Sequence, residues 1–226
     1  MSASDPEPAP VTSPLAEVRA RIDHAAALAG REPASIELIA ISKTHFMPAI
    51  QPLLDAGQLS FGENRVQEAS DKWSALRADP ALRLHLVGQL QSNKAEAAVA
   101  LFDAIHSVDR GSLVDALARA MERGGRRPDC FIQVNIGEEP QKGGCGIAEL
   151  PTLLAHARNA GLPVAGLMCV PPADTEAAPY FALLAKLAKD HGLAGLSMGM
   201  SGDYETAVLI GATHVRVGSA LFGARG

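Results

Sequence analysis

The segment Ile36-Glu37-Leu38-Ile39-Ala40-Ile41-Ser42-Lys43-Thr44 decides how this chain folds. Its β-branched Ile39 and Ile41 favour a strand, because branched side chains fit a pleated surface. Strand side chains alternate between faces, so Ile39, Ile41 and Lys43 fall on one. If that face is the inside of a barrel, Lys43 carries its amine to the mouth of a packed core. Burial there disfavours the charged form and lowers the pKa, and a neutral amine attacks carbonyls. The alternative is a strand-capping lysine whose ammonium reaches water, the ordinary place for a charged group.

Working outward, the same alternation recurs. Residues 14–30 read as a preceding helix, with Pro14 in its first turn, an apolar stripe of Leu15, Val18, Ile22 and Ala25, and Gly30 at its stop. After the Lys43 strand, strands are predicted at 59–64, 82–88, 104–109, 130–136, 164–170, 196–201 and 215–222. Helical patterns separate them at 46–56, 66–78, 93–102, 112–123, 148–160, 175–191 and 203–210, and Pro52 interrupts the first of these. Eight strands with a helix between each successive pair predict an α/β protein built as a single closed (β/α)8 TIM barrel with an additional N-terminal helix. A doubly wound open sheet is the competing arrangement, but no Gly-x-Gly-x-x-Gly follows the first strand. The units divide the chain into a tail, 1–13, and one barrel domain, 14–226.

Composition removes several function classes. The net charge is −5 with no basic block, which argues against a nucleic-acid partner. Cys130, Cys145 and Cys169 are odd in number and lack C-x-x-C spacing, so they outline neither a disulfide framework nor a zinc site. The tail 1–13 is rich in Pro, Ser, Ala and acid, lacks the apolar stretch of a signal peptide, and is expected to be disordered. No apolar run approaches the roughly 20 residues that span a bilayer. These features point to a cytoplasmic protein without a membrane or metal partner, and to a monomer, since the barrel closes on itself.

Barrel chemistry gathers at the carboxyl ends of the strands. Those ends carry Lys43, Asn64, His85 (slightly earlier in its strand), Asp109, Asn135, Ser201 and Ser219. Strands seven and eight run into Met198-Gly199-Met200-Ser201-Gly202 and Arg216-Val217-Gly218-Ser219-Ala220. Loops at these positions commonly hold phosphate: glycines let backbone N–H groups approach an anion and hydroxyls add donors. Turn glycines with an N-capping Ser201 would look the same in isolation. Arg216 shares a strand face with Gly218, and an inward arginine needs an acid or a ligand acceptor. A lysine for a Schiff base, a phosphate clamp and an arginine aimed at a ring nitrogen together describe a pyridoxal 5′-phosphate site.

The chain resembles the pyridoxal phosphate homeostasis family, whose barrel is similar to the N-terminal domain of alanine racemase. The resemblance runs through AISKT (40–44), FGENRVQE (61–68), HLVGQLQSNK (85–94), HSVDR (106–110), QVNIGEEPQKGG (133–144), GLMCV (166–170), LSMGMSGD (196–203) and VRVGSALFGAR (215–225). It implies that Lys43 holds the cofactor as a Schiff base, that Ser201, Gly218 and Ser219 hold its phosphate, that Arg216 faces the pyridine nitrogen, and that Asn64 and His85 line the pocket. Two departures stand out. A proline usual a few residues past the lysine is delayed here to Pro48, and Lys142 is followed by Gly143-Gly144-Cys145 where the family has a small hydroxyl residue, which leaves the role of Lys142 and any thiol chemistry of Cys145 open.

Arg216 bears on mechanism. A guanidinium stays charged and accepts no proton, so it keeps a ring nitrogen unprotonated and weakens the cofactor as an electron sink. Racemisation needs acid/base groups on both faces of a substrate carbon. In alanine racemase one of these is a tyrosine from a second domain, whereas the two tyrosines here, Tyr180 and Tyr204, fall on predicted helices. The expected function is a carrier that buffers pyridoxal 5′-phosphate and hands it to apo enzymes, without catalytic turnover. A low-activity amino-acid racemase, an aldolase-like Schiff-base enzyme and a purely structural barrel are the alternatives.

Overall fold

The computed structural model describes residues 13–223. Ser13 opens the first helix, α1 (Pro14–Leu28), by accepting a hydrogen bond from the Ala16 amide at 3.2 Å. Gly30, at φ +64°, lets the chain turn away after it. The tail expected to be disordered lies, from residue 1 to residue 12, outside the described residues, as do residues 224 and 225 of the final family motif.

Eight strands follow: β1 (Glu37–Ile41), β2 (Ser60–Glu63), β3 (Arg83–Leu86), β4 (Ala104–Val108), β5 (Asp129–Gln133), β6 (Val164–Met168), β7 (Gly195–Ser197) and β8 (His214–Val217). All pairs are parallel, and β1 pairs with both β2 and β8, which closes the barrel in sequence order. The helices between them are α2 (Met47–Asp55), α3 (Val66–Trp73), α4 (Ala95–Leu101), α5 (Gly111–Gly124), α6 (Leu150–Asn159), α7 (Ala178–Asp190) and α8 (Tyr204–Leu209), and a last turn, α9 (Ser219–Phe222), follows β8. The (β/α)8 barrel with an additional N-terminal helix is the fold of this chain. Pro52 sits inside α2 on its solvent-exposed side.

Period-2 alternation sorts each strand into an outward and an inward set. Outward, Leu84, Leu86, Ile105, Ile132, Leu167 and Val215 are fully buried against helix residues such as Trp73, Leu117 and Phe181. Inward, the register brings Glu37 beside His214, Ile39 beside Arg216 and Gly62 beside His85. A Cβ on Gly62 would come within 2.4 Å of the Ile41 side chain, so only glycine leaves room for the inward residues there.

The strands are shorter than the sequence pattern predicts, and at β7 and β8 the difference moves site residues out of the strand. β7 ends at Ser197, because Gly199 adopts φ +93° and a Cβ there would come within 2.6 Å of the Ala207 Cβ. Ser201 therefore lies in a turn before α8. β8 ends at Val217, and Ser219 belongs to the helical turn α9 instead of the strand end. No described helix is long and apolar enough to cross a membrane.

Candidate ligand site at the mouth of the barrel

Lys43 stands two residues beyond β1, in a turn held from both sides. The Ser42 amide donates to the Gly62 carbonyl at 3.0 Å, and the Ser42 hydroxyl donates to Glu63 at 2.7 Å. Lys72, from α3, donates to the Ser42 carbonyl at 2.7 Å and to Glu63 and Glu68 at 2.8 and 3.3 Å. Thr44 carries φ +65°, a strained value for a β-branched residue, and its amide donates to Glu68 at 2.6 Å. Burial pushes the Glu68 carboxyl up, but the Thr44 amide and Lys72 outweigh it and bring it below its ordinary value. The lysine-bearing turn is thus fixed by two acids and a lysine from FGENRVQE and the helix after it. Sequence reading singled out neither Glu63, Glu68 nor Lys72; the signal was an acid on the outward face of an otherwise apolar strand, with Glu68 and Lys72 one helical turn apart.

Lys43, Ser201, Arg216, Gly218 and Ser219, from three different strand ends, line one cavity of about 350 Å³. The Ser201 hydroxyl accepts from the amides of Gly218 and Ala220 at 3.2 and 3.4 Å, so the two last loops meet at one point. His45 stands at the rim, stacked on Phe222 with ring centroids 4.3 Å apart.

The other expected residues lie elsewhere. Asn64 is half-buried and does not line this cavity. His85 is fully buried inside the barrel, with Nε2 3.2 Å from Glu37 and Nδ1 3.0 Å from His106 Nε2. Asp109 pairs with Arg110 at 2.7 Å, and Asn135 bonds both ways to the Glu139 backbone, holding the loop that carries Lys142. Lys142 donates to the Pro171 carbonyl at 3.0 Å and pairs with Glu139 at 2.6 Å. Burial pushes the Cys145 thiol up to about 12, which leaves it an inert thiol at neutral pH.

Arg216 closes the floor of the cavity. It is 4% exposed, and two of its five N–H groups are committed: Nη1 donates to the Ser197 hydroxyl at 2.6 Å and Nη2 to the Cys169 carbonyl at 2.8 Å. Burial lowers its pKa, yet a guanidinium remains a pure donor throughout the ordinary range.

An amine, two hydroxyls, backbone amides and a guanidinium gather around one cavity at the carboxyl end of a (β/α)8 barrel, the face where barrels of this class place their ligands. The chain belongs to the alanine racemase N-terminal domain family, which matches residues 14–226, and within it to the pyridoxal phosphate homeostasis proteins. It is 41% identical to the pyridoxal phosphate homeostasis protein of Pseudomonas aeruginosa, over 93% of this chain and 94% of that one. The protein of the same name from Escherichia coli K12 is 39% identical over 93% of this chain and 95% of its own length. PipY of Synechococcus elongatus, solved with PLP bound, superposes with a TM-score of 0.77 at 41% identity, covering 90% of this chain and 100% of PipY. Alanine racemase from Bacillus anthracis shares the fold, with a TM-score of 0.66 at 19% identity over 96% of this chain and 60% of the racemase.

Proposed function

We propose that this cavity holds pyridoxal 5′-phosphate and that the protein serves intracellular homeostasis of the cofactor as its carrier and buffer. The observation that carries the reading is the convergence of Lys43, Ser201, Arg216, Gly218 and Ser219 on one cavity of about 350 Å³. The donor set fits the ligand. Ser201, Ser219 and Gly218 would take the phosphate, the Gly218 amide giving up its bond to Ser201 for one to the ligand. Arg216 would take the ring nitrogen, and Lys43 the aldehyde carbon. Bound there, the cofactor supplies an electrophilic aldehyde that a lysine amine captures reversibly.

The chain's own residues favour holding over turnover. Arg216 would donate a hydrogen bond to the ring nitrogen without transferring its proton, which disfavours chemistry that needs a strong electron sink. Racemisation needs a second acid/base group over the substrate, and neither tyrosine lines the cavity. Tyr204 is 1% exposed beneath Arg21, and Tyr180 lies on α7. On this reading the recipients are apo forms of cofactor-dependent enzymes, and the carrier works as a cytoplasmic monomer.

The test is to add pyridoxal 5′-phosphate to the protein and follow its visible absorption. We expect a band that borohydride bleaches, with the added mass on Lys43, and no band in Lys43→Ala. A colourless wild-type mixture would leave only a structural barrel. Sustained racemisation of an added amino acid, abolished in Lys43→Ala, would replace the carrier by an enzyme.

A further inference from the structure

A continuous polar chain runs through the middle of the barrel. From the cavity floor downward, Arg216 Nη1 is 2.6 Å from Ser197 Oγ, Ser197 Oγ is 2.8 Å from His106 Nδ1, His106 Nε2 is 3.0 Å from His85 Nδ1, and His85 Nε2 is 3.2 Å from Glu37 Oε1. Its members come from β8, β7, β4, β3 and β1. His85, His106 and Ser197 are fully buried. Phe131 stacks on His106 with ring centroids 4.4 Å apart and interplanar angle 10°.

The two ends of this chain fix its direction. Arg216 only donates. Glu37 also accepts from Ser60 at 2.6 Å and lies 3.1 Å from His214 Nε2. Burial pushes the Glu37 carboxyl up, but the His214 and His85 hydrogen bonds outweigh it and hold it well below the carboxylate range, so it only accepts. An unprotonated His85 Nε2 would set a lone pair against that carboxylate, so Nε2 bears the proton. A neutral His85 then accepts at Nδ1, which requires a proton on His106 Nε2. A neutral His106 accepts at Nδ1 from the Ser197 hydroxyl, and the hydroxyl oxygen is left to accept from Arg216. In this arrangement both ring N–H groups, the Ser197 hydroxyl and one Arg216 Nη1 proton each meet an acceptor within the chain.

We propose that Arg216→Ser197→His106→His85→Glu37 is a one-way hydrogen-bond relay of neutral Nε2-protonated histidines, and that Glu37, at the opposite end of the barrel from the cavity, is a positioning residue for Arg216. The relay takes up one Nη1 proton and, together with the Cys169 carbonyl on Nη2, orients the guanidinium, leaving three N–H groups for a ligand. The groups facing His85 are Glu37, His106, His214 and Arg83, and those acting on His106 are His85, His214, Arg216 and, opposing them without touching the ring, Glu37. Three of those around His106 are basic, and with burial they hold its pKa well below the ordinary value, as a neutral ring requires. For its consequence at the cavity the inference rests on Arg216 meeting the ring nitrogen of the ligand; the relay itself stands without any ligand.

The test uses the protein without added cofactor. In long-range 1H–15N spectra of 15N-histidine protein, assigned with single His→Asn variants, His85 and His106 are expected to show protonated Nε2 and unprotonated Nδ1 at pH 7. An Nδ1-protonated or doubly protonated ring at either position overturns the proposal. Glu37→Gln keeps an acceptor for His85 and should preserve both tautomers. Glu37→Leu removes it and should scramble the His106 signals as well as those of His85, although Glu37 does not touch His106. His106 signals unchanged in Glu37→Leu would reduce the relay to separate local pairs. With pyridoxal 5′-phosphate added, the visible band of Glu37→Leu should shift while that of Glu37→Gln stays put; an equal band in both would remove the positioning role. A failure of cofactor binding as such would appear in wild type and leave the tautomer result standing.

Discussion

On the outside of the barrel, Leu84, Ile105, Leu196 and Val215 meet the apolar faces of the helices; inside the same strands, His85, His106, Ser197 and Arg216 meet one another. One residue of strand separates the two chemistries. The outer layer is held by non-directional burial, worth about 25 cal/mol per Å² of apolar surface, and tolerates any good filling of the same volume. The inner layer departs from the branched aliphatic filling usual in such barrels. Each of its groups dictates the proton position of the next, so it specifies one arrangement and forfeits that arrangement if a member is lost. What differs is therefore what pH and substitution do to each layer.

The largest effect belongs to the outer layer. Phe181, fully buried on α7, fills the space against the sheet. Phe181→Ala should cost about 3–5 kcal/mol, read as a lower urea midpoint, and the loss should be the same at pH 5.5 and pH 8 because it comes from lost apolar volume. A loss that varied strongly with pH would break the contrast between the layers.

The inner layer should behave in the opposite way. Burial, His85, His214 and Arg216 hold His106 well below its ordinary pKa, and burial lowers His85 despite Glu37. Below the unfolded-state value of about 6.5, the unfolded chain takes up protons that the folded chain refuses, so wild-type stability falls as pH falls through that value. At pH 8 His106→Phe should cost about 1–3 kcal/mol, because it strands the Ser197 hydroxyl and His85 Nδ1. Toward pH 5.5 the cost should shrink by up to about 1.4 kcal/mol per pH unit, since the variant lacks the histidine that refuses the proton. Denaturation midpoints of both proteins at the two pH values decide this, and a cost that grew on acidification would reverse the sign and sink the assignment of a neutral ring.

The same contrast explains what was legible in the sequence. The outer layer repeats an apolar residue every second strand position and a helical stripe between strands, so it revealed eight units and the closed barrel. Lys43 was legible as the polar end of an apolar strand, and Ser201, Arg216, Gly218 and Ser219 because they lie close to glycines where the last two strands give way to loops, the place where such barrels put their chemistry. Glu37, His106 and Ser197 were not, because a polar residue at an inward position looks in sequence like an interruption of a strand. Only the register shows that Ser197 on β7 pairs with His214 and stands between His106 and Arg216. His85 drew notice as a strand-end residue, and its partners are instead inside the barrel. The termini of β7 and β8 were misjudged because apolar Met198, Met200 and Leu221 continue the strand pattern past the point where Gly199 and the α9 turn end it.

The smallest effect lies where the inner layer meets water. Arg83 approaches Glu37 at 3.6 Å and Asp129 at 3.7 Å, but 47% of its side chain is exposed. Contacts of that length in high dielectric are worth about 0–1 kcal/mol and are screened by salt. Glu37 meanwhile keeps Ser60, His85 and His214 without any help from Arg83. Arg83→Gln should therefore lower stability by under about 1 kcal/mol at low salt and by less in 0.5 M sodium chloride, where the Debye length falls to about 4 Å. The His85 and His106 tautomers should not change, because the carboxylate that sets the direction of the chain is still ionised. A cost above about 2 kcal/mol that salt leaves intact would mean that Glu37 depends on Arg83 for its charge. The dry, directional interior would then extend one residue further down the barrel, to a side chain that water already reaches.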